Sequence, residues 1–177
     1  MTWTNLEGPV YWTLFVVTFL AVAVWESYRP KADLASPAER RWSRHGLLLL
    51  LSAIAQGLLF RISPVVLAVA VEGNRYGLLN QPSIPFAVRC GIAVLLIDLS
   101  HYVYHRLMHA IAPLWRLHEV HHSDADYDVS TAARFHPIEV VLTQGCNLAL
   151  VMALTPPPVA VFVAEMLAVI VNLFAHA

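Results

Sequence analysis

The hydrophobic and polar positions of this chain form long apolar stretches that are separated by short polar segments. Three stretches predict transmembrane helices, over about residues 10–28, 46–71 and 84–104, because a helix needs about 20 residues to cross a bilayer. A fourth stretch, residues 138–175, is interrupted by Thr155 and three prolines. Proline lacks an N–H donor and its ring clashes with the preceding turn, so this stretch predicts a helical hairpin whose halves are short for a full crossing.

The pattern as a whole predicts an all-α fold, an integral membrane helical bundle in which residues 1–177 form a single membrane domain. Composition agrees, since 58% of the residues are hydrophobic and 13% are charged, whereas soluble domains have about 25% charged residues. The net charge of −1 provides no basic surface, so no nucleic-acid partner is expected. Cys90 and Cys146 lie in apolar stretches without a neighbouring cysteine, which argues against a disulfide or a cysteine-based zinc site.

Basic residues predict which side of the membrane the polar segments face. The segment between the first two apolar stretches contains five of the eleven lysines and arginines, and short loops rich in these residues lie in the cytoplasm. Alternate crossing of the later stretches then places the histidine-bearing helices of this multi-pass protein on the cytoplasmic side. A re-entrant loop at Arg61 and Pro64 would reverse this orientation. The five basic residues are Arg29, Lys31, Arg40, Arg41 and Arg44.

Histidines are concentrated between residues 105 and 136, which we call the histidine-box region. The sequence HRLMH places His105 and His109 at i and i+4. The sequence HEVHH places His118 three residues before His121 and four before His122. Residues at these spacings lie on one face of a helix, so their imidazole nitrogens can point at the same metal ion. Two such helices that face one another can build a nitrogen-rich metal site in a helical bundle.

A single histidine on an apolar helix is usually a hydrogen-bonded packing residue. Five histidines in two spaced boxes indicate metal binding, because burying so many imidazoles near a membrane is costly unless something binds them. Imidazole suits iron, zinc, copper and nickel, and the histidines outnumber the four ligands of a structural zinc site, which favours two metals. From the residues alone, three classes stay open: a di-iron oxygenase, a dinuclear zinc hydrolase, and a non-enzymatic membrane protein that binds metal or haem.

Residues 123–133 are the polar stretch that is long enough to form a surface loop. Asp124, Asp126 and Asp128 resemble the start of a calcium-binding loop, but Val129 stands where such a loop requires glycine. The stretch therefore predicts a solvated acidic loop rather than an ion site.

The run from Asp98 to Glu139 resembles the central signature of the fatty acid hydroxylase/sterol desaturase superfamily, whose members are membrane histidine-box di-iron oxygenases. The run covers about a quarter of the chain. The shared elements are Asp98, HRxxH beginning at His105, a Leu-Trp-Arg triplet beginning at Leu114, HxxHH beginning at His118, and Thr-Ala-x-Arg-x-His-Pro beginning at Thr131.

The resemblance implies roles for individual residues. Metal ligands are expected in both boxes and in the element Asn172-x-x-x-His176, which is similar to a later histidine segment of the family. The expected ligands are His105, His109, His118, His121, His122 and His176. Further candidates, which would support the ligands or be weaker ligand positions, are Asp98, His136 and His101, the last of which lies one turn before the first box and departs from the commonest pattern of the family.

Glu165 is a candidate for a different reason, because it lies within the fourth apolar stretch. A carboxylate in a membrane helix is a functional candidate by default. The alternative is a hydrogen bond to a neighbouring helix, for instance to Gln144 or Asn147.

The implied function is that of an oxygen-dependent di-iron membrane oxidoreductase that hydroxylates or desaturates a C–H bond of a lipid or sterol, or cleaves an ether lipid. Its implied cofactors are two iron ions, with zinc as an alternative occupant, and dioxygen as the co-substrate. Electrons would come from an external donor, either a redox partner protein or a reductase, and membrane lipids would be the other partners. The family has a further HxxHH box after the segment of His176, and the chain stops at Ala177, so we expect a fragment that lacks the last histidine box.

Overall fold

The computed structural model describes residues 3–29, 34–74, 76–81 and 83–176. These residues form seven α-helices and one short 3₁₀ helix, and none of them lies in a β-strand, which confirms the predicted all-α fold. The α-helices are α1 (Trp3–Tyr28), α2 (Ala38–Leu59), α3 (Pro64–Val71), α4 (Phe86–Ala110), α5 (Ala112–His122), α6 (Pro137–Leu154) and α7 (Pro158–His176). The 3₁₀ helix, Val129–Ala133, lies between α5 and α6.

Five helical segments of the described chain are long and apolar enough to cross a membrane. They are Glu7–Tyr28, Ala38–Val71, Phe86–Ala110, Pro137–Leu154 and Pro158–His176. The last two, of 18 and 19 residues, are the two halves of the fourth apolar stretch. Large apolar side chains are exposed along α1, α2 and α4, as expected where the outer faces of helices contact lipid. The chain is therefore an integral membrane helical bundle.

Most of the described prolines lie at helix ends, and Pro9, inside α1, is an exception. The second apolar stretch is interrupted, because α2 ends at Leu59 and α3 begins at Pro64. The hydroxyl of Ser63 caps α3 by accepting a hydrogen bond from the N–H of Val66 at 3.0 Å. Proline suits the first position of a helix, where no intrahelical N–H bond is made.

The connection between α6 and α7 packs against the segment that follows α3. Gly77 has a φ of +98°, and a Cβ added there would lie 1.7 Å from the hydroxyl oxygen of Thr155. The N–H of Leu79 donates to the carbonyl of Leu154 at 2.8 Å, which satisfies one of the free carbonyls at the end of α6. Position 77 therefore requires glycine, both for its positive φ and for its close approach to Thr155.

The largest buried cluster joins α3, α4, α6 and α7. It thereby fixes α4, which carries the first histidine box, relative to α6. Its buried members are Val65 and Ala68 on α3, Ile97 on α4, Val151 on α6, and Val161 and Ala164 on α7. Small residues such as Ala68 and Ala164 allow membrane helices to approach one another closely. The close packing holds α4, α6 and α7 in fixed relative positions.

The polar stretch 123–133 packs against the start of α2 and the residues just before it. The prediction that this stretch is a solvated acidic loop is therefore wrong. Asp128 is 2% exposed and pairs with Arg41 at 2.7 Å. Asp126 accepts hydrogen bonds from the backbone N–H groups of Ala35 and Ser36 at 2.7 and 2.9 Å. These contacts join residues 87 to 91 positions apart, and they attach the loop after the second histidine box to the N-terminal part of the chain.

His45 of α2 also contacts the stretch 123–133. Its ring nitrogens lie 2.7 Å from the hydroxyl of Ser130 and 2.6 Å from the carboxylate of Asp124, and its side chain is buried. Burial raises the pKa of Asp124, but hydrogen bonds from the N–H of Asp126 and from His45, together with the Arg134 guanidinium, lower it further, so the net pKa is below the ordinary value. His45 therefore has a structural role in this loop.

Candidate metal centre

The junction between α4 and α5 brings the two histidine boxes together. Helix α4 ends at Ala110, Ile111 alone separates it from α5, and Pro113 lies in the first turn of α5. Because the connection is so short, the box at the end of α4 lies against the box at the end of α5. The ring centres of His105 and His118 are 4.8 Å apart.

Four imidazoles of these boxes converge on one small volume. Each offers one nitrogen atom, and these four atoms all lie within 4.8 Å of one another; the residues are His105, His109, His118 and His122. The Nε2 atoms of His105 and His109 are 3.2 Å apart, as are those of His118 and His122. Only His118 is buried, so this four-histidine cluster opens toward the surface of the described chain.

Glu139 of α6 fixes the orientation of His118. One carboxylate oxygen, Oε1, lies 2.7 Å from Nδ1 of His118, and both side chains are buried. An ionised carboxylate only accepts hydrogen bonds, so Nδ1 donates, and Nε2 of the neutral ring carries the lone pair. That lone pair lies on the side of His122, whose Nε2 is 3.2 Å away.

His121 and His176 form a second pair beside the cluster. Their Nε2 atoms are 2.9 Å apart, and the His121 ring centre is 5.0 Å from that of His122. Nδ1 of His121 lies 3.2 Å from the carbonyl oxygen of Arg134, and Nδ1 of His176 lies 2.6 Å from that of Asn172. Carbonyl oxygens only accept, so both Nδ1 atoms donate and, in neutral rings, both Nε2 atoms are acceptors. Two facing acceptors repel each other unless a cation or a shared proton lies between them.

The pKa values of His121 and His122 favour neutral rings. Burial, followed by the neighbouring His176, lowers the pKa of His121 to about 3. Burial and then His118 lower the pKa of His122. Neutral imidazole is the form that binds metal, so at neutral pH these rings present lone pairs rather than protons. The Trp115 indole stacks on the His122 ring at 5.8 Å and covers one face of it.

Three of the further candidates lie apart from the convergent rings. His136 caps α6, and its Nδ1 accepts from the N–H of Ile138 at 3.1 Å. Nε2 of His101 lies 3.2 Å from the amide oxygen of Asn147. Asp98 is exposed, its charge acts on His101, and it makes no hydrogen bond to a described residue. The structure therefore brings together the six expected ligand histidines and leaves these three side chains outside.

Glu165 lies on α7 about 16 Å along the helix from His176, at 1.5 Å per residue. Its charge interacts with Glu7 and with Tyr11, both on α1. The amide of Asn147, suggested by the sequence as a partner of Glu165, is instead the partner of His101.

Sequence reasoning missed Glu139 and the role of the Arg134 side chain. Glu139 is 21 residues from His118, so no helical spacing links them; the available signal was a carboxylate beside an apolar helix, because a buried charge needs a partner. The guanidinium of Arg134 binds Asp124 and donates to the carbonyl of Val120 at 2.8 Å. The side chain of Arg134 thereby holds the loop in place, and the backbone carbonyl of Arg134 orients His121, one of the expected ligands.

Fold and site together define an all-helical integral membrane protein with six clustered histidines at one end of its bundle. The sequence model of the fatty acid hydroxylase family matches residues 90–177, the part of the chain that contains all six. The chain belongs to the fatty acid hydroxylase/sterol desaturase superfamily.

Among curated proteins, the chain is similar to three alkylglycerol monooxygenases. It is 38% identical to the Homo sapiens protein over 48 residues, which are 27% of this chain and 11% of that protein. Identity to the Danio rerio protein is 44% over 43 residues, 24% of this chain and 10% of the relative. Identity to the Xenopus tropicalis protein is 40% over 38 residues, 22% and 8% of the two chains. The chain thus covers about a tenth of the length of these relatives. No solved structure matches the chain.

Proposed function

We propose that this chain carries the metal-binding core of an oxygen-dependent di-iron membrane oxidoreductase that acts on a C–H bond of a lipid or sterol. The observation that carries the proposal is the convergence of six imidazoles, four in one cluster and two beside it, in three pairs whose Nε2 atoms are 2.9 to 3.2 Å apart. The fatty acid hydroxylase family supports the reaction class, and the relatives named alkylglycerol monooxygenase support a lipid substrate.

In this proposal the six imidazoles would hold two iron ions. Imidazole nitrogen suits iron, and zinc is an alternative occupant because imidazole also binds zinc. When bound, the irons would supply the redox chemistry that activates dioxygen, with electrons from an external redox partner protein or reductase. One ion would be held by His105, His109, His118 and His122, and the other would take His121 and His176.

The remaining residues of the site would position the ligands and the substrate. Glu139, Arg134 and Asn172 bind the Nδ1 atoms of three ligand rings, which leaves the Nε2 atoms free for metal. Partners of this kind orient metal-bound histidines and raise their basicity. Leu99 and Val103, exposed on α4 just before the first box, form an apolar surface that suits a lipid chain.

We propose further that the site faces the cytoplasm. Arg41 belongs to the basic segment between the first two apolar stretches and pairs with Asp128 of the loop after the second box. The basic segment and the histidines therefore lie at the same end of the bundle, and short basic loops lie in the cytoplasm. Labelling of a Ser123→Cys variant in intact cells tests this: a cytoplasmic site should react only with a membrane-permeant thiol reagent.

Metal analysis of the purified protein tests the site itself. Wild type is expected to contain iron, and His118→Ala and His122→Ala are expected to lose most of it. The matched control is His136→Asn, which removes an imidazole outside the cluster and keeps a good helix-capping residue. His45→Ala is unsuitable as a neutral control, because His45 is buried against Asp124. Iron contents in both alanine variants equal to that of wild type would contradict the proposal.

Further measurements separate the classes that the sequence left open. Dioxygen uptake that requires both a reductant and a lipid supports the oxygenase, and product masses from an alkylglycerol, a fatty acyl lipid and a sterol identify the substrate class. An intense Soret band would indicate a haem protein instead. Bound zinc with hydrolysis and without dioxygen uptake would indicate a zinc hydrolase.

A further inference from the structure

We infer that Glu139 is the anionic positioning residue of this metal centre, which holds His118 in its metal-binding tautomer and places a negative charge against neutral ligands. The inference rests on the proposed function, because it assigns a role within the same site. The six expected ligands are all imidazoles, so they contribute no negative charge of their own to balance a metal ion.

The backbone of Glu139 is attached to the helix of the first box, and its side chain reaches the second. Pro137 begins α6, so Glu139 lies in the first turn, where the helix dipole favours a negative charge. The hydroxyls of Tyr104 on α4 and Thr143 donate to the backbone carbonyl of Glu139 at 3.1 and 3.0 Å. The carboxylate then meets His118 of α5 at 2.7 Å. Three helices therefore determine where this charge lies.

The charge of Glu139 has little compensation from the protein. Its side chain is buried, and within the described residues the ion-pair partner of its carboxylate is His118, with no lysine or arginine at that distance. A buried carboxylate is costly unless it is paired. A metal ion bound by neutral imidazoles would supply the missing positive charge, and the charge of Glu139 already acts on the rings of His105 and His122.

One oxygen of the carboxylate is left without a donor. Oε1 is used by His118, whereas Oε2 is buried and accepts no hydrogen bond from the described part of the chain. Most buried polar atoms of proteins have a partner. A carboxylate with only a structural role would be expected to satisfy both oxygens with protein donors, whereas Oε2 of Glu139 has no donor among the described residues.

Cobalt(II) binding to the purified full chain in detergent tests the inference. Cobalt(II) is the probe because its absorption bands report both occupancy and coordination. Glu139→Ala is expected to weaken cobalt affinity about 10- to 100-fold. Glu139→Gln keeps an acceptor for His118 but lacks the charge, so its affinity should fall between the alanine variant and wild type. The matched control, Glu119→Gln, removes an exposed carboxylate within the second box and should bind cobalt like wild type.

The thermal stability of the metal-free variants separates positioning from folding. Glu139→Met replaces a buried charge by an apolar side chain of similar volume, which is often neutral or stabilising. Its metal-free melting temperature should therefore equal or exceed that of wild type while its cobalt affinity falls. Loss of stability in parallel with loss of affinity would make Glu139 a structural residue and overturn the inference.

Failure of the inference and failure of the proposed function give different results. Equal cobalt affinities and spectra in wild type, Glu139→Ala and Glu139→Gln would overturn the role of Glu139 and leave the metal centre standing. A wild-type protein that binds no cobalt would overturn the metal centre itself. If Glu139→Ala does not fold, the comparison of Glu139→Gln with Glu119→Gln decides the question.

Discussion

Removal of Arg41 tests whether a buried ion pair holds the loop that follows the second histidine box. The side chains of Arg41 and Asp128 are 7% and 3% exposed. Two guanidinium nitrogens lie 2.7 and 2.8 Å from one carboxylate oxygen, which also accepts from the indole of Trp42 at 3.2 Å. Arg41→Ala leaves that carboxylate buried, with the indole of Trp42 and both the N–H and the hydroxyl of Ser130 as its remaining donors.

The magnitude follows from the charge that is left behind. Removing one partner of a buried ion pair costs about 3–5 kcal/mol, because the other charge stays buried without compensation. Asp128 keeps several donors, so we expect the lower end, about 3 kcal/mol. At about 2–4 °C per kcal/mol for a chain of this size, the melting temperature should fall by about 6–12 °C. The double variant Arg41→Ala/Asp128→Ala should be about 1–3 kcal/mol more stable than the sum of the single effects predicts.

Tryptophan fluorescence measures the melting temperature and the free energy of unfolding of each variant. The protein is metal-free and is heated in a mild detergent in which unfolding is reversible. Arg40→Ala is the matched control, because Arg40 is exposed on the same helix, and it should change stability by no more than about 0.5 kcal/mol. A melting temperature of Arg41→Ala within about 2 °C of wild type, or strictly additive effects in the double variant, would refute the reasoning.

Two other predictions concern stability. Because burial and then His176 lower the pKa of His121 to about 3, the folded metal-free chain stays unprotonated there while the unfolded chain takes up a proton below about pH 6.5. The free energy of unfolding should therefore be unaffected by His121 above about pH 6.5 and should fall as the pH drops toward 3. Denaturant unfolding should show a shallower pH dependence in His121→Gln than in wild type. An unchanged slope would contradict this. Gly77→Ala should cost about 2–5 kcal/mol, from about 1–3 for the clash with Thr155 and about 1–2 for the left-handed backbone. Gly57→Ala, in an open position of α2, should instead stabilise by up to about 1 kcal/mol, and equal effects of the two alanines in thermal unfolding would be inconsistent with the close approach at Gly77.

The sequence by itself determined the class of fold and the composition of the candidate site, because both depend on local spacing. The length of an apolar stretch decides whether its helix can cross a membrane, whatever that helix packs against. The i and i+4 spacing of His105 and His109 places both rings on one helix face before any tertiary contact forms. The same holds for His118 and His122 in the second box.

Only the tertiary structure decided which groups meet across helices. Glu139 contacts a histidine 21 residues away, and His176 contacts His121 across 55 residues. Asp128 shows most clearly what the sequence cannot predict, because the sequence does not distinguish a solvated aspartate from one that is buried against an arginine 87 residues earlier. Such pairings depend on how the helices cross and where their ends lie, and those positions result from packing of the whole bundle rather than from any periodicity along the chain.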